Sequence, residues 1–306
     1  MDLLSGMATF VRVVEGGSLS AAARAQRLSL PAVSRQLRAL EEDLGTTLVV
    51  RSTRRLHVTE AGQRWYEHCV RVLREVDDAR ASVRGEKSAR GTLVVSASLT
   101  YGSLVIVPRL RKLTEEHPEL VVDLRLEDQI VDLVAEGVDV AVRVGPPPPD
   151  STAFIAHPLA TMGRVLVASP RYLRKRGTPR TVKDLARKDC LLQVTPAGTV
   201  VRWRFRPAGA DPAEPRDETV DVHGRLRANA PLALRDLARD GAGIAYLPDW
   251  LVEEDIARGT LRRVLPDWES PPITSWAVHR AELRGTPRVT AFVRAITGVS
   301  PGSRRG

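Results

Sequence analysis

Apolar residues recur every three to four positions through the first eighty or so residues, and that spacing predicts helices. Leu3, Met7, Phe10 and Val14 form one stripe. A shorter pattern, "LSAAARAQ", turns Leu19, Ala22 and Ala23 to one side, with Ser18 placed to cap it. Its alanines suit two helices that cross at close range. A third helix over 31–44 brings Val33, Leu37, Leu40 and Leu44 within about 40° of one another. Opposite that stripe stand Pro31, Ser34, Arg35 and Arg38. Pro31 suits a first helical turn and Gly45 the position just past a helix end. Glu41, Glu42 and Asp43 crowd the C-terminal end, where the helix dipole disfavours them, which leaves the positive charge in the N-terminal half.

The next stretch, "LVVRSTRRLHVTEAG", changes period: an apolar strand, a basic turn, a short return and Thr59 as a helix cap. Three short helices followed by a basic hairpin describe a winged helix-turn-helix, whose third helix enters the major groove. In this reading the candidate DNA contacts on the helices are Ser18, Ser20, Pro31, Ala32, Ser34, Arg35, Gln36 and Arg38. Those on the wing are Arg51, Ser52, Arg54 and Arg55, which reach phosphates or a minor groove. For any one helix alone, a plain packing unit with a solvated basic face explains the pattern equally well.

On "GSLSAAARAQRLSLPAVSRQLRALEEDLG" and "RRLHVTEAG", residues 1–62 resemble the DNA-binding domain of LysR-type transcriptional regulators. Leu30 stands where that family commonly has glutamine. Val49 and Val50 replace its usual phenylalanine and glutamate. These departures bear on which operator is preferred.

From Glu60 to about Glu86 the chain has no proline, and Trp65, Cys69, Val72, Val76, Ala79 and Val83 follow heptad spacing. Roughly 27 residues at about 1.5 Å each make a rod near 40 Å. A rod directly after a winged helix reads as a dimerisation helix, because dimers read paired half-sites. The resemblance implies the same. Cys69 is read as a small apolar packing residue of that seam.

After "GEKSARG" the pattern changes again. Near-continuous apolar strands alternate with helices: "TLVVSAS", "IVPRLRKLTEEHP", "LVVDLRLED", a helix "IVDLVAEG" and "VDVAVRVG", closed by "PPPP". A second series runs through "RVLVAS", "PRYLRKRG", a helix capped by Thr181, "LLQVT", "PLALRDLARDG", "GIAYLP" and "DWLVEEDIARG". "SWAVHR" and "TPRVTAFVRAIT" then return to the first series. This predicts mainly parallel, helix-covered sheets in two α/β lobes with a cleft between them. "VDLVAEGVDVAVRVG" and "RDGAGIAYLPDWL" resemble the effector-binding domain of the same family, which shares its architecture with periplasmic binding proteins.

The expected fold class is therefore α/β overall: an all-α winged helix-turn-helix over 1–59, a linker helix and hinge over 60–90, and a two-lobed effector-binding domain over 91–300. Lobe I takes about 91–162 and 267–300, and lobe II about 163–266. Ligands of open α/β sheets sit beyond strand C-termini, at helix N-termini. That rule selects Ser98, Leu99, Thr100 and Tyr101, with Val144 and Gly145, in the first lobe. In the second it selects Thr195, Asn229 and Ala230. Each of these is equally explained as a simple cap. Arg143, inside a strand, reads as an ion-pair partner or as a ligand clamp.

Composition changes this picture little. Hydrophobic residues make up 43% and charged residues 27%, as in ordinary globular chains. The net charge of +9 suggests an anionic partner, but it divides as +4 over residues 1–90 and +5 over the remainder, so it points to neither half. No run approaches about eighteen apolar residues, and the N-terminus lacks a basic leader, so a cytoplasmic protein is expected. Cys69 and Cys190 show no metal or redox spacing, and the six histidines include no H-x-x-x-H pair.

The expectation is a DNA-binding regulator without catalytic residues, metal or cofactor. Its partners would be double-stranded operator DNA with paired half-sites, a small organic or aromatic acid in the cleft, and its own copies. The resemblance adds a dimer of dimers and RNA polymerase. Alternatives are a repressor without an effector, an exported solute-binding protein, or an α/β enzyme. The last is opposed by the lack of G-x-S-x-G, P-loop and Rossmann glycine patterns.

Overall fold

A computed structural model describes residues 2–51, 56–84, 88–209 and 217–298. The chain divides into two compact units, Met1–Lys87 and Ser88–Gly306.

The first unit is built on α1 (Leu3–Gly16), α2 (Leu19–Gln26) and α3 (Leu30–Leu44). Ser18 and Ser29 cap α2 and α3 by accepting from the amides of Ala21 and Ala32. Phe10, Val13, Ala22, Val33, Leu37 and Leu40 are fully buried in one core. Burying each large member contributes about 1.5–3 kcal/mol, which fixes the orientation of α3. Leu3 departs from the expected stripe: it is 42% exposed, because the buried stretch of α1 begins at Gly6.

Gly45 ends α3 at φ +63°, a left-handed conformation suited to glycine. The hairpin β1 (Val49–Arg51) and β2 (Leu56–Val58) follows, and α4 (Glu60–Arg84) closes the unit. Thr59 caps α4 by accepting from Gly62 N at 2.9 Å. A side chain at Gly62 would sit 2.2 Å from Leu48 O, so only glycine lets α4 lie this close to the wing. The acidic end of α3 has a use that helix electrostatics hides. Glu41 Oε1 accepts from Leu48 N (2.8 Å) and Val49 N (3.1 Å), anchoring the first wing strand.

The heptad seam of α4 divides. Cys69 is fully buried in the unit's own core, with Trp65 and Leu73 packed beside it, so Cys69 has no surface left to offer a second copy. Val72 is 38% exposed, Val76 half-buried and Ala79 exposed. The side chain of Val83 lies outside the described residues.

The second unit holds two five-stranded sheets. The first joins β3 (Gly91–Ala97), β4 (Leu120–Leu126), β5 (Val140–Gly145), β6 (Phe154–Met162) and β15 (Ile273–Arg280) in the order β4-β3-β5-β15-β6. The second has the order β11-β8-β12-β7-β13, with β7 (Arg164–Ala168), β8 (Cys190–Gln193), β11 (Leu226–Ala228), β12 (Ile244–Pro248) and β13 (Arg262–Val264). A small sheet of β9 (Trp203–Pro207), β10 (Glu218–Val220) and β14 (Trp268–Glu269) helps cover it. Helices α5 (Leu99–Tyr101), α6 (Val107–Glu116), α7 (Pro170–Arg176), α8 (Pro231–Arg239), α9 (Asp249–Ala257) and α10 (Pro287–Ile296) lie between and beside the strands.

The sheets are mixed rather than mainly parallel. β15 runs antiparallel to β5 and β6, and β7 runs antiparallel to β12 and β13. The chain crosses between lobes at Gly163 and again at 270–272, which forces strands to enter from the opposite direction. The helix expected over "IVDLVAEG" is a single turn. Asp132 Oδ1 takes the amides of Val134 and Ala135, and Gly137 at φ +62° ends it.

Candidate functional site

On the first unit, Pro31, Arg35 and Arg38 are exposed along one face of α3, opposite the buried stripe. Neither arginine has an ion pair among the described residues. Ser34 and Ala32 are half-buried on the same helix, and Ser20 is exposed on α2. Two of the residues expected on DNA turn out to be structural. Gln36 points inward: its Oε1 lies 2.7 Å from the buried Thr9 hydroxyl, and its amide nitrogen lies 3.5 Å from Ser5 Oγ. The Ser18 hydroxyl is occupied as the cap of α2. Arg51 pairs through its backbone with Leu56, while its side chain and the whole of Ser52, Arg54 and Arg55 lie outside the described residues. Leu30 adds a feature the sequence did not suggest, an apolar side chain 47% exposed in the first turn of α3.

In the second unit the strand ends do meet across the lobes, but at fewer residues than expected. Leu232 N, in the first turn of α8, donates to Thr100 Oγ1 at 3.4 Å. The Thr100 hydroxyl and the start of α8, both chosen for a ligand, thus satisfy each other, and Thr100 is only 4% exposed. Tyr101 turns into the core, with its hydroxyl 3.0 Å from Ser275 Oγ and its ring edge-on to Trp250, and burial pushes its pKa up. It is therefore a packing residue. Thr195 closes a turn with Thr199 through both its amide and its hydroxyl, so it too is structural. Ser98 is half-buried beyond β3, with no side-chain cap bond, and Leu99 is 40% exposed with its amide on Asp128. Val144 is half-buried, and Gly145 offers its carbonyl to Trp276 Nε1. Asn229 is exposed just ahead of Ala230, which opens α8.

Arg143 resolves as a structural residue. Its guanidinium reaches Ser96 Oγ (2.7 Å) and Gln129 O (3.1 Å), and Ser96 in turn donates to Glu127. Arg164, not selected from sequence, stands where β7 begins and carries no such partner. Its guanidinium lies 5.7 Å above the Tyr246 ring, and burial pulls its pKa down. Both cysteines are buried thiols pushed up to about 12, which makes them poor nucleophiles. Among the described residues no cluster of histidine, cysteine and carboxylate side chains could hold a metal.

Comparison with known proteins agrees with both halves. Residues 4–63 match the family described as bacterial regulatory helix-turn-helix protein, lysR family, and residues 86–300 match the LysR substrate binding domain. The chain is 35% identical to the probable HTH-type transcriptional regulator LtrA of Klebsiella pneumoniae, covering 100% of this chain and 97% of that one. It is 33% identical to the HTH-type transcriptional regulator DmlR of Escherichia coli, over 97% and 94%. Among solved structures, CrgA, a LysR-type regulator from Neisseria meningitidis, aligns at TM-score 0.59 and 29% identity over 95% and 97%. The Vibrio cholerae virulence activator AphB aligns at 0.58 and 26% over 96% and 98%.

Proposed function

This chain belongs to the LysR family of bacterial transcriptional regulators, and from that membership we propose that it works as a homo-oligomer that reads paired operator half-sites with α3 and is controlled by an organic acid bound between its two lobes. The observation that carries the DNA half is the unpaired, exposed pair Arg35 and Arg38 on a helix whose opposite face is fully buried. Charges held in water on a rigid helix meet phosphates or base edges with little desolvation. Arg51, Ser52, Arg54 and Arg55 of the wing belong to the same reading. Dimerisation falls to Val72, Val76 and Ala79, which keep heptad spacing and stay at least partly exposed. A pair of such dimers and an interaction with RNA polymerase extend the reading, and it places the protein in the cytoplasm with the DNA it reads.

The test uses duplex sites selected from a random library and gel-shift titration at fixed salt. Wild type should favour a two-half-site duplex over unrelated DNA by at least about a thousandfold. Arg35→Ala should weaken the selected site by about 1–3 kcal/mol while leaving the unfolding midpoint unchanged. Unaltered affinity would remove α3 as the reading helix.

A further inference from the structure

We propose that Arg164 is the charge anchor of the effector cleft and receives the carboxylate of a small organic acid at the point where the two lobes join. The inference rests on the ligand-cleft reading above and assigns that site a residue and a ligand charge.

Arg164 is the first residue of β7, directly after Gly163, where the chain leaves the first lobe's sheet for the second's. It pairs with Pro248 at the C-terminal end of β12, the end of a parallel strand beyond which α/β proteins bind ligands. Its backbone amide donates to Ser270 Oγ at 2.6 Å, and Ser270 lies on the second crossing between the lobes. The Arg164 backbone therefore sits beside both connections at once, and its guanidinium lies 5.7 Å over the Tyr246 ring.

Its charge has no counterpart among the described residues. Nε is buried without a hydrogen-bond partner, and no carboxylate pairs with the group. The carboxylates near it are already committed. Asp217, which acts on Tyr246 through its charge, is held by Arg204 at 2.6 Å and Arg206 at 3.4 Å. Asp249 accepts from Gly163 N at 3.2 Å and Trp250 N at 2.7 Å. Three other inward-turned arginines of this unit have a carboxylate partner, Arg206 on Asp217, Arg235 on Asp255 and Arg288 on Asp139, and Arg143 is held by Ser96 Oγ and Gln129 O instead.

Arg164 is half-buried with Nε out of water, and a cation partly withdrawn in this way without an anion is costly; folds retain such groups where function requires them. The missing anion is best matched by a carboxylate, whose planar oxygens fit the guanidinium fork. Neutralising Arg164 at the double crossing would bias how the lobes close, which gives the ligand its leverage.

The experiment is a thermal-shift and calorimetric screen of the full-length protein with acetate, benzoate and succinate, their amides, and inorganic phosphate. At least one carboxylate should bind, and its amide should not. Arg164→Gln should weaken that binding at least tenfold, with Arg164→Lys in between. Without ligand, Arg164→Gln should melt at or above the wild-type midpoint, because an unpaired charge has been removed. The inference is overturned if wild type binds none of the carboxylates or binds phosphate alone. It is equally overturned if Arg164→Gln binds with wild-type affinity, or if that variant melts far lower or fails to fold, as a structural cation would require. A carboxylate that binds through Arg164 but leaves operator affinity unchanged keeps this inference and defeats the regulatory reading instead.

Discussion

Arg35 and Arg38 on α3 and Arg164 at the lobe crossing carry the same charge in opposite settings. The first two stand in water on a helix held from behind by Val33, Leu37 and Leu40. They cost little to keep, and in the proposed function they act on a polyanion through a field that salt screens. Arg164 is half-buried over the Tyr246 ring, with its Nε out of water and without a hydrogen-bond partner among the described residues. Around it the second unit neutralises its buried cations in pairs, with Arg288 on Asp139 at 3.5 Å and both residues at most 6% exposed. On the first unit, α3 carries exposed cations without ion pairs among the described residues. In the second unit Arg164 differs from the paired arginines in having neither a carboxylate nor, at Nε, a hydrogen-bond partner among the described residues.

The strongest way to break that contrast is to create a second uncompensated charge. Arg288→Leu removes the guanidinium beside buried Asp139, leaving its carboxylate without that counter-charge, and should cost about 3–5 kcal/mol, read as a lower urea midpoint for the second unit. A loss below about 1 kcal/mol would mean that paired and unpaired buried charges differ little here. A smaller effect tests the first unit. Glu41→Ala leaves the Leu48 and Val49 amides without their acceptor and should cost about 1–3 kcal/mol, with faster hydrogen exchange at those two amides. Unchanged exchange would show that the wing is held without Glu41. Val76→Asp should shift the protein from dimer to monomer in sedimentation with the fold intact, and an unaltered profile would move the interface elsewhere.

The subtlest test concerns His279, 3% exposed, with its Nε2 3.0 Å from that of His157. Burial lowers its pKa below 6.5, against a hydrogen bond to Arg280 O that raises it, and His157 lowers it further. The folded state therefore binds fewer protons here than the unfolded chain. Its contribution to stability is present above pH 6.5 and is lost as pH falls through that value toward the lower folded pKa. His279→Gln should flatten that acid-side decline, and an identical pH profile would exclude His279 as its source.

The three-helix head was legible because one apolar stripe per helix forms one core, and Ser18, Gly45 and Thr59 sit where local chemistry demands caps, while Ser29, which caps α3, went unread. The inward turn of Gln36 was not legible, since it depends on Thr9 being buried 27 positions away. The strand β6 was hidden by Pro158, which a sheet tolerates here because β6 is an edge strand and the register shifts where Ser275 and Trp276 face it. "IVDLVAEG" looked helical by spacing, but Asp132 caps a turn at the amides of Val134 and Ala135 that Gly137, at φ +62°, ends within five residues. In the second unit, the rule of strand ends selected residues that meet across the lobes, Thr100 and the start of α8, but could not tell a free group from one already satisfied. Thr100 and Thr195 were taken by neighbours, and Arg164 declared itself only by having none.

The most direct test of the contrast is the salt dependence of operator affinity, measured for wild type, Arg38→Ala and Arg164→Gln without ligand. The slope of log affinity against log salt should fall by about 1 for Arg38→Ala, because one phosphate is no longer neutralised, and stay at the wild-type value for Arg164→Gln. Equal slopes for all three proteins, or a reduced slope for Arg164→Gln alone, would contradict the assignment of exposed cations to DNA and the buried one to a ligand.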